Sequence, residues 1–232
     1  MKTRPAEMNL ERAATGPGGL FYGVYPAIVV GGYDSKQPGY LRIRLPMWGS
    51  EGPDNLLARI AVPMAGAGRG TFFMPDVNDE VLVAFEGGNP HRPYIVGALW
   101  NGQDTTPIPM NAENNLKAIV SRTGLRITLD DSPDAIRLRL ETPDGRAIVL
   151  DDGAQVIDIS DGAGNHVTMD SQGITIAAAS ALTVEASTVE VTGAYVHVAS
   201  GLTKFEGVVE CETLKSKVVI SDAYTPGAGN IL

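Results

Sequence analysis

Three histidines, one cysteine and two turn-rich loops are the places where this 232-residue sequence could do chemistry. A zinc or related site draws His and Cys ligands a few residues apart. His91, His166 and His197 stand far from one another and from Cys211, so no metal ligand is assigned. The lone cysteine excludes an intrachain disulfide, and Cys211 is expected as a half-buried thiol in a strand. The run Met64-Ala65-Gly66-Ala67-Gly68-Arg69-Gly70 could cradle a phosphate. A P-loop, however, needs Lys-Ser/Thr after its last Gly and then a helix, and Thr71-Phe72-Phe73-Met74-Pro75 starts none. The loop more readily lets the backbone pass close to a neighbouring subunit. Asp158 to Asn165 spaces oxygens like a calcium loop but lacks the closing carboxylate, and turn chemistry explains it. No Ser-His-Asp order, paired carboxylates in an aromatic cleft or Cys-His pair emerges from the spacing. The chain is therefore expected to be a non-enzyme, with no catalytic, cofactor-binding or metal residues and no cofactor.

Charge narrows the partners. Residues 1–110 carry nine basic and ten acidic side chains, while residues 111–232 carry nine and seventeen. Between Arg146 and Lys204 there is no Lys or Arg, but Asp151, Asp152, Asp158, Asp161, Asp170, Glu185 and Glu190 fall there. Such a surface repels phosphate backbones, so no nucleic-acid partner is expected for the second half. No apolar run is long enough to span a bilayer, and the basic Met1-Lys2-Thr3-Arg4-Pro5 leads into no hydrophobic core of a secretory signal.

The elements organise around Phe72 to Trp100. Val81, Val83 and Phe85 alternate with Leu82, Ala84 and Glu86, and Ile95 to Trp100 forms a second strand-like run. Between them Gly87-Gly88-Asn89-Pro90-His91-Arg92-Pro93 must reverse the chain. Upstream, Phe21 to Val30, Tyr40 to Leu45 and Leu56 to Val62 read as strands, with Leu41, Ile43 and Leu45 on one face. Five short strands without a long helix predict an all-β, OB-type barrel over 21–103, preceded by an arm over 1–20. A linker is expected over 104–123.

Past residue 124 short alternating segments recur, with apolar positions such as Ile127, Ile136, Ile148, Ile157, Val167 and Ile174 seven to twelve residues apart. Each segment offers two or three apolar side chains, too little for one chain to offset the cost of ordering it. Three chains wound about one axis solve the problem, and a single-chain solenoid is the alternative. The alternation places Ile174, Ile176, Leu182, Val184, Val189 and Val191 on one face, and these are predicted to line the threefold axis of a spike over 124–232.

The segment Pro75-Asp76-Val77-Asn78-Asp79-Glu80-Val81-Leu82-Val83-Ala84-Phe85-Glu86, followed by Asn89-Pro90-His91-Arg92-Pro93-Tyr94-Ile95-Val96-Gly97, resembles the OB-fold signature of contractile-tail spike proteins. That family includes phage baseplate assembly protein V and the VgrG spikes of type VI secretion. Its pattern has Gly where this chain has Asn78, and an Asp-Gly-Asp-Pro turn where this chain has Gly87-Gly88-Asn89-Pro90. Asn accepts a left-handed backbone better than most residues.

The resemblance implies an intertwined trimeric β-helix after the barrel and a structural role. The chain would be the membrane-piercing needle of a contractile tail baseplate, transmitting sheath contraction to the target cell envelope. It implies a homotrimer with a baseplate hub protein at the barrel end. Since no hub domain precedes the barrel here, a separate hub protein and a phage-type baseplate are expected ahead of a type VI or extracellular injection system. Assembly would place the chain, made in the bacterial cytoplasm, in a virion tail or injection particle. Some short spikes of the family carry a His-x-His iron site at the tip. Tyr195-Val196-His197-Val198 lacks the second His, so the apex is expected either self-closed by residues 218–232 or capped by a small tip protein. The alternatives are an OB-fold nucleic-acid binder, for which Tyr40, Arg42 and Arg44 supply a fragment of a stacking face, and a β-helical carbohydrate-degrading tailspike.

Overall fold

A computed structural model describes residues 19–32, 36–51 and 56–222; most of the expected arm (1–18) and the final residues of the expected apex (223–232) lie outside them. Strands β1 (Val24–Gly31), β2 (Tyr40–Arg44), β3 (Leu56–Ile60), β6 (Glu80–Phe85) and β7 (Pro93–Leu99) close a barrel in the order β1-β2-β3-β7-β6. All its pairings are antiparallel except β3 with β7. The alternating residues pack inside as expected: Ala27, Val29, Leu41, Ile43, Leu45, Val81, Val83, Phe85 and Ile95 are buried. At one end Phe21 meets Tyr25, Trp48 and Phe85 with ring centroids 4.9–5.6 Å apart. Pro46–Glu51 adds a 3-10 turn, and the glycine-rich run forms the small hairpin β4 (Ala65–Gly66) and β5 (Arg69–Gly70), with no helix after it.

Two turns hold the barrel's register. Asn78 takes φ 80°, and its N–H donates to the Val29 carbonyl at 2.8 Å while the Asp79 carbonyl accepts from Val29 N–H at 3.0 Å. Between β6 and β7 Gly88 takes φ +79°, and its carbonyl accepts the Phe21 N–H at 2.8 Å. A Cβ there would approach Leu20 to 3.0 Å, so the position requires glycine.

The second half forms a seven-stranded antiparallel meander in sequence order: β8 (Leu116–Val120), β9 (Arg126–Asp130), β10 (Arg137–Glu141), β11 (Ala147–Asp151), β12 (Val156–Ser160), β13 (His166–Asp170) and β14 (Gly173–Ala177). β8 corrects the linker expected over 104–123, because Leu116, Ala118 and Val120 alternate and find β9 as a partner. Through Ala177 the ladder partners come from the same chain, since the short turns are hairpins. The described residues 178–222 form no strand. Cys211, expected half-buried in a strand, accordingly lies exposed.

One edge of the sheet repeats a single turn design. Ser121, Thr142 and Asp161 each accept, through a side-chain oxygen, the N–H of the residue four positions on, at 3.0–3.2 Å. Each also donates its own N–H to that residue's carbonyl, at 2.8–3.2 Å. Three residues after each stands a glycine with positive φ: Gly124 (+88°), Gly145 (+83°) and Gly164 (+99°). Successive turns stack closely, and a Cβ on Gly162 would lie 3.2 Å from the carbonyl oxygens of Asp144 and Gly145. The other edge uses acidic turns, where Asp130, Asp151 and Asp170 accept backbone N–H groups of Ser132, Ala154 and Gln172. Much of the acidic surplus is thus turn chemistry.

Candidate assembly face

Because side chains alternate across a strand, the register of the meander sorts its residues into two unlike faces. Ile127 stands opposite Ile119 and Leu140, and Leu140 opposite Ile148. The row continues through Ile159 and Val167 to Ile176, and a parallel row runs Leu129, Leu138, Leu150, Ile157, Met169, Ile174. Only Lys117, opposite Leu129, interrupts it, and its ammonium reaches Asp131 at 3.6 Å and the Asn114 carbonyl. Among the described residues most of these side chains are left exposed. Leu138 and Val167 are half-buried, and the other side chains of the rows range from 36% exposed at Ile127 to 59% and 69% at Ile176 and Ile174 on the edge strand β14. A contiguous apolar face of this extent marks an interaction surface.

The reverse face carries ion pairs beside apolar positions such as Leu116, Val120, Val149 and Val156. Arg137 stands opposite both Asp130 and Asp151 and bonds them at 3.3 and 3.6 Å, while Glu141 takes Arg126 at 3.8 Å and Arg139 at 2.6 Å. Further along, the Thr168 hydroxyl donates to Asp158 at 3.1 Å. Asp130 is held below its usual carboxylate range chiefly by hydrogen bonds from Ser132, helped by Arg137. Partly exposed pairs of this kind contribute little each, about 0–1 kcal/mol, but they leave the charges of this face partnered.

The predicted axial residues divide between two settings. Ile174 and Ile176 stand in β14 on the apolar face. Leu182, Val184, Val189 and Val191 fall in the strandless described stretch, each 59–71% exposed. The alternation that marked Ile174 is present in every strand from β8 on, beginning at Ile119.

The candidate chemical groups are not gathered into a site. His166 lies in β13 opposite Ser160 and Ala177, and His197 stacks on Tyr195 with centroids 6.0 Å apart. Among the described residues no group of three His, Cys, Asp or Glu is placed to hold a metal ion. In the loop that resembles a calcium site, Asp161 gives its carboxylate to the N–H groups of Ala163 and Asn165 and to the Asn165 side chain, which hold it below its ordinary range.

On the barrel exterior, Tyr40, Arg59 and Tyr94 stand side by side across β2, β3 and β7. The row ends in a carboxylate: Tyr94 donates its hydroxyl to Glu86 at 2.8 Å, and Arg92 bonds the other oxygen at 2.9 Å. Those two bonds hold Glu86 below its ordinary range, and the bond to the Glu86 carboxylate raises Tyr94 above its own.

Comparison with known proteins assigns both halves. Residues 25–100 match the family model for the type VI secretion system and phage-baseplate injector OB domain. Residues 137–203 match the phage baseplate V C-terminal trimerisation domain. Among curated proteins, the type VI secretion system spike proteins VgrG1a and VgrG1b of Pseudomonas aeruginosa are each 35% identical over 69 residues, covering 28% of this chain. The matched stretch spans only 11% and 9% of those two relatives' own lengths.

Proposed function

Since the chain belongs to the baseplate V and VgrG-like family of contractile-injection spikes, we propose that it is the central spike of a phage-type baseplate, acting as a homotrimeric needle. One observation carries this: a two-row apolar face along the meander, broken only by Lys117 and left largely exposed among the described residues, while Arg126, Arg137 and Arg139 on the reverse face find carboxylate partners. Three such faces turned toward a common axis would cover one another. The strands of the meander are five residues long, so each sheet is about 17 Å wide. A triangular prism of that width has its axis about 5 Å from each wall, half the roughly 10 Å separation of packed sheets. One layer of Ile and Leu side chains fills that space.

Seven strands spaced about 4.8 Å apart account for roughly 30 Å of needle. Beyond Ala177, Leu182, Val184, Val189 and Val191 would pair and pack with the two other chains, continuing an intertwined β-helix along the threefold axis. The barrel would receive a baseplate hub protein, and residues 218–232 would close the apex or dock a small tip protein. A prism cross-paired in this way would transmit sheath contraction to the target envelope without bending, and its acidic flank resists adhesion to anionic lipid. The role is mechanical and requires no catalytic group. The description of the trimerisation domain favours a phage-type baseplate over a type VI or extracellular system. Sedimentation of the full chain is expected to show a trimer at micromolar concentration, and a stable monomer would refute the reading. Deleting residues 221–232 should leave a folded trimer in particles that contract but do not inject.

A further inference from the structure

A threefold ring joins unlike edges, because each copy must present one edge of its sheet to the opposite edge of the next. Resting on the trimer reading above, we propose that the prism is registered by a knob and a groove on these two edges: Ile136 of one copy seats between Phe73 and Leu125 of its neighbour. The turn-column edge carries an apolar groove of about 560 Å³ on the inner face, lined by Phe73, Leu125, Ile127, Leu140 and Ile148 among others. Phe73 comes from the barrel and is 66% exposed, and Leu125 is 51% exposed. An Arg122–Asp76 ion pair of 3.2 Å ties the turn at this edge to the barrel loop beside Phe73.

The opposite edge supplies the matching knob. Ile136 precedes β10 in the same alternation as Leu138 and Leu140, and is therefore on the apolar face. Its carbonyl accepts the Asp152 N–H at 3.0 Å, which fixes its backbone, yet its side chain is 51% exposed. The residues that end the other strands at this edge are polar: Asp131, Asp152, Gln155, Ser171 and Gln172. Knob and groove stand on the same hairpin, β9–β10, and so at the same height along the stack, where a neighbour related by threefold rotation would bring them together. The groove is continuous with the face that the trimer covers, so a second copy of this chain is its occupant. A polar edge everywhere else makes a one-strand slip expensive, since Ile136 would then meet water and Asp131 or Asp152 the groove.

The test uses the full chain with Cys211→Ser, Leu125→Cys and Ile136→Cys, oxidised with diamide and run on a non-reducing gel. Within one chain the two positions lie at opposite ends of the β9–β10 hairpin, about 17–20 Å apart, beyond disulfide reach. A covalent trimer that reductant dissolves is the expected result. A chain that sediments as a trimer yet stays uncross-linked overturns the interlock and leaves the trimer standing, whereas a monomeric parent chain overturns the trimer reading itself. As a second measurement, Ile136→Ser is expected to weaken assembly about tenfold or more through lost burial, with Gln155→Ser on the same edge neutral. Equal effects of the two would also overturn the interlock.

Discussion

Replacing Ile176 with Asp, set against Thr175→Asp in the same strand, separates a covered face from a solvated one. Both side chains are exposed in the single chain, Ile176 at 59%, and they point to opposite sides of β14. On secondary-structure grounds alone the two substitutions should cost about the same. In the proposed prism only Ile176 becomes dry. Burying the remaining three-fifths of an Ile side chain is worth about 1–2 kcal/mol per chain, so its loss costs about 3–6 kcal/mol per trimer. Three carboxylates taken out of water add several kcal/mol each and repel one another. Ile176→Asp should therefore be monomeric by sedimentation near neutral pH, with Thr175→Asp trimeric. Burial and like charge would raise the pKa of the introduced carboxyls, so the neutral form gains as pH falls and assembly should partly recover in acid. If both variants sediment and melt as the parent trimer does, the inward assignment of this face is wrong.

Three further outcomes follow from local geometry. Gly162→Ala places a methyl against two turn carbonyls at a backbone φ of +73°, and should lower the stability of the meander by about 1–3 kcal/mol in thermal melts. At Asn78, with φ 80°, Ala should cost about 1 kcal/mol of barrel stability, and Gly should cost nothing. Glu86 is held below 4.5 by hydrogen bonds from Tyr94 and Arg92, so its contribution is present above that pH and is lost as pH falls through the lowered value. Glu86→Gln should flatten the acid limb of a pH–stability profile below pH 4.5, and an unchanged limb would remove Glu86 as its cause.

Local alternation carried most of this fold. Leu41, Ile43 and Leu45, or Val81, Val83 and Phe85, can reach a core only as strands with those faces inward, and the turn at Gly87 to Pro93 can only reverse the chain. Asn78 in a left-handed turn was legible for the same reason, since its steric preference is local. What the sequence could not specify was the partner of each strand in the second half. An alternating segment such as Val156–Ser160 pairs equally well with a neighbour in its own chain or in another, because backbone donors and acceptors are alike in both. Tertiary structure decided that β8 to β14 pair within the chain, which drew Leu116 to Val120 out of the expected linker and added Ile119 to the apolar face. It also decided that Phe73, far from the sheet in sequence, lines the same groove as Leu125 and Ile148. Periodicity along a chain determines which side of a strand is apolar; which strands and loops share that side depends on contacts between distant residues, and those exist only once the chain has folded.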